Sequence, residues 1–272
     1  MWDSGKGTIC RISLRKDERV TAFLQSRLID KNCLFVCLKG IDQSNNNAPY
    51  HELRTYEIAK DGQTCDHEMV VDLSTPSMLT ATDIFIGADA LYINMSSREL
   101  FKLDVLQEIQ NKEMDDYVVI EHRLANYMAF NLGEDNGSVN VTRVCELENT
   151  NEALQRSGYS VDLVCVIFVD CTIKVFDTVN GELIRDLNQL PAPFYQNNLS
   201  QCEVIEAAVR GDQLVVVAEL ALGQNFRGPV LLYLDERLEY SVRAQLHMPR
   251  EHTGILCSAS ICDQETIDIV TN

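Results

Sequence analysis

Four kinds of residue cluster in this chain have types and spacings that chemistry can use. Ser4-Gly5-Lys6-Gly7-Thr8 carries the lysine and small residues of a phosphate loop, but the upstream glycine is missing and no helical pattern follows, so it reads as a turn. Gly133–Ser138 (GEDNGS) offers oxygen donors without the spacing or closing glutamate of a calcium loop, and Asp135-Asn136-Gly137 reads as a hairpin turn. The closest cysteine pairs are 33/37, 165/171 and 257/262, with no Cys-x-x-Cys and no His-x-x-x-His. Cys65 and His67 would put two donors on one strand face, which is too few for a site. A Gly-x-Ser-x-Gly nucleophile elbow is absent. Neither a metal nor a cofactor is expected.

The fourth kind is acidic. The segment NKEMDD brings together Glu113, Asp115 and Asp116, and ELENTNE brings together Glu146, Glu148 and Glu152, with only Lys112 to offset them. The whole chain has 23 Lys+Arg against 41 Asp+Glu, a net charge of −18. That balance disfavours a nucleic-acid backbone or an anionic membrane surface, both of which need clustered cations. A negative patch instead steers a basic protein segment. The plain alternative is a solvated acidic surface that keeps the protein soluble.

The elements that must position these residues are almost all strands. Short apolar or alternating runs rich in Val, Ile, Phe, Tyr and Thr recur between Gly, Asn, Asp and Ser, from Cys33–Leu38 through Leu53–Glu57, Met69–Leu73, Ala81–Ile86 and Leu91–Asn94 to Ile267–Val270. Helical signals are confined to Val105–Glu113 and Asn151–Arg156. This is an all-β protein. Cysteines inside apolar runs, such as Cys33 and Cys37 in CLFVC and Cys165 in DLVCVIF, read as free buried thiols. With no apolar run of signal-peptide length in Met1–Leu14 and none anywhere of membrane-span length, the expected location is cytoplasmic or nuclear.

The strands also group. Strongly apolar strands that open a group fall near residues 33, 90, 125, 162, 213 and 265. Their spacing scatters about the roughly 40–50 residues of one four-stranded propeller blade. Asp162–Leu187 is the clearest unit: a non-alternating buried strand, a turn, an alternating strand, and Asn180-Gly181 to supply the positive φ angles of a hairpin. The first unit carries a polar insertion, GIDQSNNNAP.

Within that unit, TIKVFDTVNGELIRDL (Thr172–Leu187) resembles the third strand, hairpin turn and fourth strand of the WD-repeat propellers. Phe176-Asp177 stands where the family has Trp-Asp, and Asn180-Gly181 where it has its turn. RELFKLDVLQEI (Arg98–Ile109), with Leu103-Asp104, and VLLYLDERLEY (Val230–Tyr240), with Leu234-Asp235, are similar in weaker form. The family's Gly-His pair is absent, so Asp177 is expected to serve its own turn only.

The resemblance implies a single β-propeller over residues 1–272, with about six four-stranded blades or most of a seven-bladed ring. The strand Thr8–Leu14 is expected to close that ring against the last unit, since an unpaired terminal blade leaves sheet edges open. It also implies a non-catalytic scaffold that docks other proteins within a larger complex. The alternative is a propeller hydrolase using carboxylates of the central channel. On the blade assignment, the two acidic segments are neighbouring connections on one face.

Overall fold

Leu163-Val164-Cys165-Val166-Ile167 shows how local sequence makes this architecture: five successive residues, none of them polar, all buried. A strand alternates its side chains between two faces, so a continuous apolar run requires cover on both. On one face the cover comes from a neighbouring sheet, with Leu163, Cys165 and Ile167 sharing a core with Val216 and Leu232.

A computed structural model describes residues 12–28, 31–58, 64–75, 79–111, 120–133, 140–191, 199–210, 212–222, 226–245, 256–261 and 267–271. Internal contacts divide the chain into two units, Met1–Gly133 and Glu134–Asn272.

The first unit opens with β1 (Arg19–Leu28), β2 (Lys31–Asp42), β3 (Ala48–Ile58) and β4 (Thr64–Asp72), an antiparallel meander in sequence order. The polar insertion extends the β2–β3 hairpin, whose ladder runs on through Gly40↔Tyr50 and Ile41↔Pro49 to Asp42↔Ala48. A second sheet follows: β5 (Ala81–Ile86), β6 (Leu91–Met95) and β7 (Glu99–Leu103). The chain then leaves it through α1 (Leu106–Asn111) and β8 (Ile120–Arg123), which pairs parallel to β4 at the edge of the first sheet. It returns as β9 (Met128–Asn131), antiparallel to β7, to complete the second sheet. The apolar stretch near 125, expected to open a blade of its own, therefore closes the preceding one. The two sheets share a core that includes Phe35, Leu53, Met69, Leu91, Ile93 and Leu103.

In the second unit, β10 (Val141–Glu148), β11 (Asp162–Phe168), β12 (Ile173–Asp177) and β13 (Leu183–Leu187) form one meander, with the short helix α2 (Glu152–Arg156) between its first two strands. Next come β14 (Leu199–Arg210), β15 (Gln213–Leu222), β16 (Phe226–Leu234) and β17 (Tyr240–Gln245), again in order. The strands β18 (Leu256–Ile261) and β19 (Ile267–Thr271) pair with each other. Side chains of both four-stranded sheets, among them Leu163, Cys165, Val175, Val216 and Leu232, make one core. Each such Leu or Val side chain contributes about 1.5–3 kcal/mol on leaving water.

The described residues thus form five sheets, four of them built on the antiparallel meander that constitutes a propeller blade. Of the strand expected at Thr8–Leu14, residues 8–11 lie outside the described residues and 12–14 are not in a strand.

Hairpin chemistry departs from the sequence expectation. The Asn180-Gly181 turn uses positive φ only at Gly181 (72°), where the Gly181 amide donates to the Asp177 carbonyl. Three other tight turns place Arg98, Cys171 and Leu238 in the left-handed region, each donating its amide to the carbonyl three residues back. This is the three-residue loop in which a left-handed last residue follows a type I turn, and glycine is not obligatory there.

Candidate functional site

Of the acidic residues singled out by sequence, Glu113, Asp115 and Asp116 lie outside the described residues. The other three belong to the β10–β11 end of one sheet. Glu146 and Glu148 are in β10 itself, and Glu152 is the first residue of α2. This connection joins the first and second strands of one sheet rather than two successive sheets.

Helix α2 is placed by Asn151, whose side-chain oxygen accepts from the amides of Ala153 and Leu154, a normal N-cap. Glu152 then occupies the first turn, where a negative charge favours the helix, and pairs with Arg156. Both side chains of that pair are more than three-quarters exposed, so the pair contributes little to stability. Glu148 stands opposite Asp162 in the β10–β11 ladder, and both are exposed. Like charges directly opposite destabilise a strand pair, so the local fold gains nothing from this arrangement.

Asp177 organises the loops beneath them. It is buried, and its carboxylate accepts from the amides of Val179 (2.7 Å) and Asn180 (3.1 Å) in its own turn. It also accepts from the Ser160 amide at 2.6 Å, in the β10–β11 loop. Burial works against its charge, but the amides of Ser160, Val179 and Asn180 together hold the carboxyl below its usual range. Asp177 therefore ties two loops together, beyond the turn role expected of it. Thr178 reinforces the tie, donating both its amide and its hydroxyl to the Asp162 carbonyl. Flanking residues Val161 and Val179 are exposed apolar side chains on the same two loops.

The first unit holds a cavity of about 540 Å³ that sequence reading did not anticipate, lined by Arg15–Glu18 and by the extended β2–β3 hairpin at Ile41–Ser44 and Tyr50. Two of its lining residues, Glu18 and Tyr50, belong to an ionic cluster. The Tyr50 hydroxyl (2.5 Å) and the Arg54 guanidinium (2.7 Å) both donate to Glu18 Oε1, while the Arg15 amide donates to Oε2. Arg54 also contacts Glu52. Burial raises the Glu18 carboxyl, yet the donors Tyr50, Arg15 and Arg54 outweigh it and hold the group below its ordinary value. A carboxylate so saturated is an ionised structural anchor, not a proton donor for general acid chemistry.

His51 links the two sheets of this unit. The Ala81 amide of β5 donates to its Nε2 at 3.5 Å, which puts the proton of the neutral ring on Nδ1. Burial pushes its pKa down to about 4, partly offset by the Leu79 backbone. Among the described residues no group of three or more His, Cys, Asp or Glu is arranged to hold a metal ion, and no helix is long and apolar enough to cross a membrane.

No protein-family model matches the chain, and no curated protein matches its sequence. Solved structures to which it is similar include BamB from Moraxella catarrhalis (12% identity over 88% of this chain and 70% of that one, TM-score 0.40). The WD40 domain of Pan2 from Neurospora crassa is another (8% identity, 83% and 65%, TM-score 0.36), as is the WD40 β-propeller domain of Doa1 (10% identity, 95% and 91%, TM-score 0.35). WD40 propellers are thus among the structures the chain resembles, while the architectural assignment rests on the sheets themselves.

Proposed function

We propose that this chain is a non-catalytic propeller scaffold that docks a basic protein segment on its acidic surface as part of a larger complex. The observation that carries the reading is the exposed pair Glu148 and Asp162, two carboxylates opposite each other in one ladder. A fold that keeps like charges paired against local stability has a use for them when a cation arrives from outside. Glu146 and Glu152 extend the same negative end, and Val161 and Val179 beside it supply apolar contact for the stem of a Lys or Arg side chain. Glu113, Asp115 and Asp116 belong to the same proposal as a second acidic element, as do a single propeller domain over residues 1–272 and a cytoplasmic or nuclear location.

The test is binding of the purified chain to an Arg/Lys-rich peptide, followed by fluorescence anisotropy at low and moderate salt. Glu148→Lys and the triple variant Glu113→Lys/Asp115→Lys/Asp116→Lys should each weaken binding about tenfold or more, with affinity falling as salt rises. Equal binding by these variants would remove the proposal.

A further inference from the structure

Six cysteines have side chains that the structure describes, and all are free thiols. Two of them meet. Cys171 closes the β11–β12 turn, fully buried, and Cys202 rises from β14 in the next sheet, half-buried. Their sulfurs lie 2.7 Å apart across 31 residues of chain.

The backbone of Cys171 is fixed on both sides. Its amide donates to the Phe168 carbonyl at 2.9 Å, and its carbonyl accepts from the Tyr240 hydroxyl at 2.7 Å. Its φ of 64° is an unusual conformation for a residue other than glycine, and it holds the side chain toward β14. Cys202 is held by the β14–β15 ladder opposite Leu220. The other described pair behaves differently. Cys145 and Cys165 are register partners across β10 and β11, but the Cys145 thiol turns away to the Ala207 carbonyl at 3.8 Å.

We propose that Cys171 and Cys202 form a redox-active thiol pair that a peroxide oxidises to an intramolecular disulfide, joining the β11–β12 turn to β14. The half-buried Cys202 is the point of entry, because the hydrogen bond with Cys202 and burial both hold the Cys171 thiol well above its ordinary pKa. The Cys202 thiolate attacks one peroxide oxygen. An S–O bond forms, the O–O bond breaks, and the departing hydroxide takes up the thiol proton to leave as water. The Cys171 sulfur then attacks the sulfenic sulfur: the S–S bond forms, the S–O bond breaks, and the hydroxide leaves with the Cys171 proton as a second water. Two thiols lose two electrons and two protons, and one hydrogen peroxide is reduced to two waters. The resolving thiol already touches the sulfenic sulfur, so the pair stops at the disulfide before further oxidation. The closed loop contains β12 and β13, so the crosslink removes unfolded-state freedom from that half of the sheet.

The experiment uses the full reduced chain and hydrogen peroxide, with alkylation of remaining thiols, digestion and mass spectrometry. The expected result is a crosslinked peptide pair containing Cys171 and Cys202, reversed by dithiothreitol, with a rise in Tm of at least about 3 °C. Cys202→Ser should lose both the crosslink and the peroxide-dependent rise, whereas Cys145→Ser should keep both. If Cys202→Ser does not fold, the peptide map of the unaltered chain decides alone. Full alkylation of Cys171 and Cys202 after peroxide, or a sulfinic acid at Cys202, would overturn the proposal.

Discussion

The Tyr50 ring lies directly over Gly40, its cross-strand partner in the β2–β3 ladder, so that a β-carbon on Gly40 would sit 2.7 Å from both Cζ and Oη. The close approach lets the Tyr50 hydroxyl reach Glu18, so Gly40 is required by packing and not by its φ. Gly40→Ala should cost about 1–3 kcal/mol through displacement of the ring. Urea denaturation would measure it, and Tyr50→Leu in the same chain should restore part of the loss, because the clash would be gone.

Arg54 and Glu18 form a buried pair, and removing Arg54 takes away the nearest cation, leaving the carboxylate the Tyr50 hydroxyl, the Arg15 amide and the Arg15 guanidinium at 3.9 Å. Arg54→Met should destabilise by about 3–5 kcal/mol, whereas the double variant Glu18→Gln/Arg54→Met should lose less than Arg54→Met alone. The Glu18 pKa is depressed by folding, so its contribution is present above its ordinary value of 4.5 and lost as pH falls through the folded-state pKa. Acid titration of the unaltered chain and of Glu18→Gln, followed by denaturant midpoint, would show the difference: the variant should be flatter below pH 4.5.

Much of this was legible in advance, and the exceptions have physical causes. The strand β5 has the limits its apolar pattern indicates, Ala81–Ile86, because Thr80 and Gly87 bound it on the two sides. Strand β1 was missed because its alternation of exposed and covered positions is not written in its residue types: Phe23 is 71% exposed, while the polar Ser26 is half-buried. Tyr127–Asn131 reads as a strand, and Met128–Asn131 is one, but which sheet it completes depends on the α1–β8 excursion, a long-range choice that local pattern does not encode. The contact of Cys171 with Cys202 is likewise invisible to spacing. It depends on the packing of two sheets, and the nearer sequence neighbour Cys165 points into the same core without reaching either. The acidic segment 146–152 was visible as charge, but its opposite number Asp162 emerged only from strand register.

His51 gives a second pH dependence with the opposite chemistry. Its folded-state pKa is about 4 against 6.5 for the free side chain, so the unfolded chain binds a proton that the folded chain refuses. The penalty is absent above pH 6.5, grows as pH falls below it, and is complete near pH 4, at about 3 kcal/mol. His51→Gln keeps an acceptor for the Ala81 amide without a titrating ring. Its stability should decline less than that of the unaltered chain between pH 6.5 and 4, as read from Tm across that window.

Asp177 connects fold to proposed function. Its two oxygens divide their work: Oδ1 accepts from Val179 and Asn180 within the turn, and Oδ2 accepts from Ser160 across the loop boundary. Asp177→Asn keeps one carbonyl oxygen for the turn but presents an NH₂ group to the Ser160 amide, donor against donor. Asp177→Ala removes both acceptor oxygens and all three hydrogen bonds. The loss should therefore be about 1–2 kcal/mol for Asn and roughly double for Ala. Hydrogen exchange separates the two effects, because in Asp177→Asn the amide of Ser160 should lose protection while those of Val179 and Asn180 keep theirs. Since Ser160 anchors the loop carrying Val161 and Asp162, that variant should also weaken binding of a basic peptide at temperatures where it remains folded, its Tm falling by only a few degrees. Protection of Ser160 unchanged in Asp177→Asn would show that Thr178, which holds the Asp162 carbonyl, positions the loop without it.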